Sequence, residues 1–154
     1  SAIQILRQMA AAELKRKHTS YPENLTLPVK AYSDKTANGL TRCIIDFLKF
    51  SGWQAERINT TGRPIDRREI VTNVIGQKRQ IGSVEWIRSG STPGSADISA
   101  TIKGRSVKIE VKIGSDRQSE AQKRYQQAIE NAGGIYIVAR TFEQFYGWYL
   151  KTFN

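Results

Sequence analysis

One cysteine, one histidine, one methionine and four prolines are all that 154 residues hold of those types. Cys43 alone excludes an internal disulfide, and with His18 as the only imidazole there is no Cys/His zinc cluster. His18 has no partner for nucleophilic or zinc chemistry and receives no catalytic role. Cys43 falls on an apolar helix face, where a small buried hydrophobe is expected. No apolar run approaches the length of a membrane span, and the start shows no signal-peptide pattern. An intracellular, cytoplasmic protein with no membrane partner is therefore expected. Acidic residues are scarce beside basic ones: 14 Asp and Glu stand against 24 Lys and Arg, a net charge of +10. Each cation laid on a phosphate releases counterions, so such an excess suits a polyanionic partner. Charge alone suits a basic protein with no such partner equally well. The length matches one domain able to bury a core, and the 39% hydrophobic content fits a globular chain.

Periodicity divides the chain into elements. Ala2 to His18 predicts a helix with the stripe Ile3, Leu6, Ala10 and Leu14, and a basic last turn, Lys15-Arg16-Lys17, that the helix dipole favours. Thr19 to Lys35 reads as linker, which sets residues 1–35 ahead of a domain over 36–154. Thr36 to Ser51 is a second helix, with Leu40, Ile44, Phe47 and Leu48 on one face and Asp46 expected in solvent. Trp53 to Ile58 follows as a short strand. From Pro64 to Gln80 the pattern fades, while Arg63, Arg67, Arg68, Lys78 and Arg79 crowd in against Asp66 and Glu69. Stretches of this length are functional or disordered in compact domains. Two readings stand: a basic flap or hairpin tip gripping a nucleic-acid backbone, and a solvated irregular loop. Ser83 to Arg88 resumes strand character, with Glu85 expected to pair with a nearby arginine.

Further on, Ser119 caps a helix running to about Ala132 and stopped by Gly133-Gly134. Its predicted buried stripe is Ala121, Tyr125, Ala128, Ile129 and Ala132. Ile135 to Ala139 is an unbroken apolar run, hence a predicted central strand. Thr141 caps a last helix in which Phe142, Phe145, Tyr146 and Tyr149 recur at i, i+3, i+4 and i+7. That spacing favours core packing over base stacking. The order of helices and strands suits an α/β fold, a mixed sheet flanked by helices with one extra helix at the N-terminus.

The chemistry concentrates between Gly94 and Ile113. Ile98–Ile102 and Val107–Ile113 flank a Lys103-Gly104-Arg105 turn and predict a hairpin. Val107, Ile109, Val111 and Ile113 share one face, leaving Lys108, Glu110 and Lys112 together on the other. Asp97 follows a Pro-Gly-Ser turn at a place where the hairpin brings it level with Glu110. Two carboxylates converging beside one ammonium suit a hard divalent cation, with a positive charge left for a phosphate or a hydroxide. The plain alternative is a solvated face, since Lys-x-Glu-x-Lys alternation is common in half-exposed sheets.

Gly94-Ser95-Ala96-Asp97, Glu110-Val111-Lys112 and Gln122 on the following helix resemble the motifs of the PD-(D/E)XK nuclease superfamily, particularly its Holliday-junction-resolvase-like and VRR-NUC branches. The resemblance spans about Thr36 to Tyr149. It implies a restriction-endonuclease-like αβββαβ core, and a Mg2+ or Mn2+ ion held by Asp97, Glu110 and the Val111 carbonyl. It further implies Lys112 and Gln122 as catalytic partners, DNA as substrate, and a homodimer as the working form. The family's first helix usually carries another acid near its start. Here the segment reads Thr36-Ala37-Asn38-Gly39-Leu40, so Asn38 stands in or beside that place. Arg57, Arg63, Arg67, Arg68, Lys78, Arg79, Lys123 and Arg124 are the expected nucleic-acid contacts. Three functions follow as expectations: a metal-dependent DNA endonuclease, selective in its finer form for branched DNA or flaps; a nucleic-acid-binding module of reduced catalysis; and a basic protein-interaction domain. No small-molecule cofactor is expected.

Overall fold

Apolar residues at helical spacing on some segments and at alternate positions on others sort into layers in the computed structural model, which describes residues 1–154. In chain order the elements are α1 (Ala2–Lys17), α2 (Ala37–Phe50), β1 (Gln54–Arg57), β2 (Arg63–Asp66), β3 (Glu69–Thr72), β4 (Lys78–Ile81), β5 (Val84–Ile87), β6 (Ile98–Ile102), β7 (Arg105–Val111), α3 (Glu120–Asn131), β8 (Ile135–Ala139) and α4 (Phe142–Phe153). The chain forms two compact units. One is Ser1–Ile58 with Pro93–Asn154; the other is Asn59–Thr92.

The first unit is built on a four-stranded sheet ordered β1-β6-β7-β8. Its β1–β6 and β6–β7 pairs are antiparallel and its β7–β8 pair is parallel, so the sheet is mixed. Ala55, Ile98, Ala100, Ile102, Val107, Ile109, Val111 and Ala139 point to one side of it. There they join Leu6 of α1, Leu40, Ile44, Phe47 and Leu48 of α2, and Phe142 and Phe145 of α4 in one buried cluster. Phe47 lies at the centre of the aromatic part, edge-on to Phe142, Phe145, Tyr146 and Tyr149 at centroid distances of 5.0–6.2 Å. The aromatic stripe of α4 is thus core, as its spacing predicts. Cys43 is buried there too. Thr36, Ser119 and Thr141 cap α2, α3 and α4 by accepting backbone N–H groups from Gly39, Gln122 and Gln144.

Several expectations need correction. β8 is an edge strand, hydrogen-bonded only to β7. Its unbroken apolar run follows from the cover of α3 and α4, and cover on both faces demands apolar residues whether or not both edges are paired. No residue of α3 is buried, and Ala128 and Ala132 of its supposed stripe are exposed. The helix leans on the sheet through half-buried Ala121, Gln122, Tyr125 and Ile129, so that side stays thinly covered. Asp46 is partly buried and accepts the Tyr32 hydroxyl at 2.9 Å. The segment 19–35 has no regular element, yet Tyr32 is core, and Asp34 accepts the N–H of Phe142 at the start of α4. In return Glu143 accepts the N–H of Ala2, tying α1 to α4. No helix is long and apolar enough to cross a membrane.

The second unit is a β-ribbon. β2 pairs with β5 and β3 with β4, both antiparallel, in two consecutive two-stranded ladders. Arg67 and Arg68 opposite Gly82 and Ser83 interrupt the pairing between them, held by the Arg67 N–H on the Ser83 carbonyl. Gly82 has φ +86° there, and a Cβ on it would lie 2.1 Å from the Arg67 carbonyl oxygen. The stretch where sequence periodicity fades is therefore a hairpin. Glu85 pairs with Arg67 at 3.0 Å, as expected.

Candidate active site

Lys103 and Gly104 both take positive φ, 47° and 77°, the geometry of a two-residue turn that matches strand twist. That turn sets the β6–β7 register, with Ile98 opposite Ile109, so the next step down the ladder brings Asp97 level with Glu110. The side chain of Asp97 accepts the Val111 N–H at 2.8 Å through Oδ2, and its carbonyl accepts the N–H of Ile58. Asp97 is thereby held by both neighbouring strands.

Glu110 and Lys112 do not form a solvated strand face. Glu110 is 2% exposed and Lys112 is 7% exposed. Glu110 Oε1 accepts from Lys112 Nζ at 3.2 Å and from Gln122 Nε2 at 2.5 Å. Glu110 Oε2 is buried with no hydrogen-bond partner. Burial, and then the charge of Asp97, push the Glu110 carboxyl up to about 7 against the pull of Lys112.

Gln122 is oriented from two directions. It is the third residue of α3, and its Oε1 accepts the Ser119 N–H at 2.9 Å while Ser119 Oγ accepts the Gln122 N–H. This is a capping box. With the amide oxygen committed to a backbone donor, the NH2 end must face the carboxylate. Gly94 brings the turn before Asp97 against the same helix end. It has φ +80°, and a Cβ there would stand 2.4 Å from the Ala121 carbonyl and 2.7 Å from the Gln122 nitrogen. Only glycine allows this approach.

Three contributors escaped sequence reasoning. Asp116, in the turn between β7 and α3, lies 3.5 Å from Lys112 Nζ. Arg140, just past β8, donates to the carbonyls of Gly114 and Asp116 at 3.0 Å each and pins that loop. Tyr136 faces the site from β8 beside Tyr125 of α3. It is pushed up to about 12, first by burial and then by the charge of Glu110. No local pattern announces the first two, because a loop acid and an arginine twenty-four residues away become partners only through the parallel β7–β8 pairing.

Of the remaining expected site residues, Asn38 and Arg57 meet: Arg57 donates to Asn38 Oδ1 at 2.9 Å. Lys123 pairs with Glu120 at 2.8 Å on the exposed side of α3, and Arg124 is exposed beside it. Arg63, Arg67, Arg68, Lys78 and Arg79 all belong to the ribbon, where Arg68 is bound to Asp66 and Arg67 to Glu85.

The donor set fits a hard divalent cation in one respect and is sparse in another. A buried carboxylate oxygen without a partner costs about 1–3 kcal/mol, and a cation would satisfy it. No group of three or more His, Cys, Asp or Glu side chains gathers anywhere in the chain, so a cation here would rest on two carboxylates, main-chain oxygen and water. Asp97, Glu110 and Val111 are the residues that would hold it. Known protein families and curated proteins offer no match to this chain.

Proposed function

We propose that this protein is a metal-dependent endonuclease that hydrolyses DNA phosphodiester bonds at the Asp97–Glu110–Lys112 cluster. The observation that carries the reading is the bare, buried Glu110 Oε2 beside Asp97, with Lys112 and Gln122 both engaged on the opposite oxygen. A structural ion pair has no need of an unpaired buried oxygen, whereas a cation site does. A bound Mg2+ or Mn2+ supplies a water of lowered pKa and neutralises charge building on the scissile phosphate.

The chain's own groups do the rest. Asp97 and Glu110 present negative charge to the cation from adjacent strands. Lys112 spends two of its three donors on Glu110 and Asp116, which leaves one for a phosphate oxygen or for the attacking water. It thereby favours the more negative transition state over the ground state. Gln122 holds Glu110 in its rotamer. In the net reaction water adds to phosphorus, the bond from phosphorus to one ester oxygen breaks, and a proton ends on that leaving oxygen.

The test is incubation with plasmid, branched and single-stranded DNA in Mg2+ or Mn2+, with EDTA as control. Cleavage should need the metal, and Asp97→Ala, Glu110→Ala and Lys112→Ala should each abolish it while the far-UV spectrum is unchanged. Full activity in Asp97→Ala would falsify the assignment.

A second reading rests on Asn38. The expected first-helix acid is replaced by an amide whose oxygen is already occupied by Arg57, which suits a nucleic-acid-binding module with catalysis reduced or lost. Metal-independent gel shifts with no cleavage of any of the three substrates would favour that module.

A further inference from the structure

The ribbon over 59–92 has a tip at odds with ordinary turn chemistry. Between β3 and β4 the chain reverses through Val74-Ile75-Gly76. Asn73 donates its N–H to the Gln77 carbonyl and accepts the Gly76 N–H on its own. Its side-chain oxygen accepts the N–H groups of Ile75 and Gln77 at 3.2 and 2.9 Å, and its amide donates to Gln77 Oε1 at 3.2 Å. Gly76 closes the loop at φ +81°. Five hydrogen bonds therefore fix a loop of three residues. Such loops are normally made of Gly, Asn, Asp and Ser. This one presents two β-branched aliphatic side chains to solvent, Val74 at 105% and Ile75 at 74% exposure.

Charge around the tip favours a polyanionic partner. Residues 59–92 carry six cations and three acids. Asp66 and Glu85 are used up on Arg68 and Arg67, whereas Arg63, Lys78, Arg79 and Arg88 make no ion pair. Directly behind the tip, Lys78 lies opposite Thr72 and Arg79 opposite Val71. Side chains alternate along a strand, so these two cations stand on opposite faces of the ribbon. A rigid apolar point flanked by one cation on each face suits two phosphate rails with a stack of bases between them. A second copy of the chain would instead set +10 against +10.

We propose that the ribbon enters the minor groove of duplex nucleic acid, with Lys78 and Arg79 on the phosphates and Val74 and Ile75 wedged against a base step. Apolar wedges of this kind unstack and bend a duplex. The inference goes beyond hydrolysis and does not depend on it, since neither carboxylate of the catalytic cluster takes part.

The test uses the full chain in EDTA, so its outcome is separate from any cleavage result. The probe is a DNA duplex carrying 2-aminopurine at A·T steps and a donor–acceptor pair at its ends. The native chain should raise 2-aminopurine fluorescence severalfold and increase end-to-end energy transfer. The double variant Val74→Ser/Ile75→Ser keeps all five tip hydrogen bonds. It should bind with the same salt dependence and lose both signals. Unchanged signals in that variant, or native binding without any signal, would overturn the wedge. So would a native dimer in sedimentation that the double variant splits into monomers without altering its response to DNA, because the tip would then belong to a second copy.

Discussion

Glu110 lives under opposed demands: its Oε1 is clasped by a lysine and an amide, while its Oε2 is buried without a hydrogen-bond partner. Its carboxyl, pushed up from 4.5 to about 7, binds a proton more tightly in the folded chain than in the unfolded one. That contribution to stability is therefore complete below about 4.5 and is lost as pH rises through 7, up to about 3 kcal/mol in all. In EDTA, urea unfolding at pH 5 and pH 8 should show the native chain losing more stability than Glu110→Gln across that interval; equal losses would mean that the carboxylate is not strained. A divalent cation should raise the melting temperature of the native chain at pH 8 and leave Asp97→Ala where it was. Equal shifts in both would move the cation site elsewhere.

The contact between the Gly94 turn and the start of α3 joins the element bearing Asp97 to the one bearing Gln122. Two glycines with nearly the same backbone angle separate strain from crowding here. Gly52, at φ +85°, has nothing within 4 Å of a Cβ position, whereas Gly94 would drive its Cβ into the Ala121 carbonyl. Gly52→Ala should cost about 1–2 kcal/mol from backbone strain alone. Gly94→Ala should cost more than that and also lose metal-dependent cleavage, because the turn must retreat from the helix. Urea unfolding and a cleavage assay on both variants would show it, and equal costs with activity kept would remove Gly94 from the site. The sequence pattern had placed Gly94 three residues before Asp97; its partner across the fold was not legible, since the close approach depends on where α3 lands.

Residues 59–92 contribute nothing to the core of the larger unit, whose buried apolar residues all come from 2–55 and 98–153. Arg57 and Ile98 are cross-strand partners, so a tight turn can rejoin the chain where the ribbon leaves it. Replacing 59–92 with a short Gly-Asn turn should leave a cooperative melt within a few degrees of the native one; a broad or absent transition would show the ribbon to be part of the folding unit. The same deletion should flatten the salt dependence of DNA binding, by about 0.9 in log–log slope for each phosphate contact removed. An unchanged slope would take the ribbon off the DNA surface.

Much of this molecule could be read from short-range chemistry. Helix caps at Ser119 and Thr141, the glycine turn at 103–104, strand alternation in β7 and the aromatic stripe of α4 are set by neighbours a few residues apart, and those interactions survive in the linear text. The pairing of Asp97 with Glu110 was legible for the same reason, because one hairpin register joins them. Long-range placement was not. The edge position of β8, the thin cover given by α3, the burial of Glu110 and Lys112, and the roles of Asp116 and Arg140 depend on which surfaces meet across the parallel β7–β8 pair. No local rule encodes that, because an apolar run or a Lys-x-Glu-x-Lys repeat has the same pattern whether a helix covers it or water does.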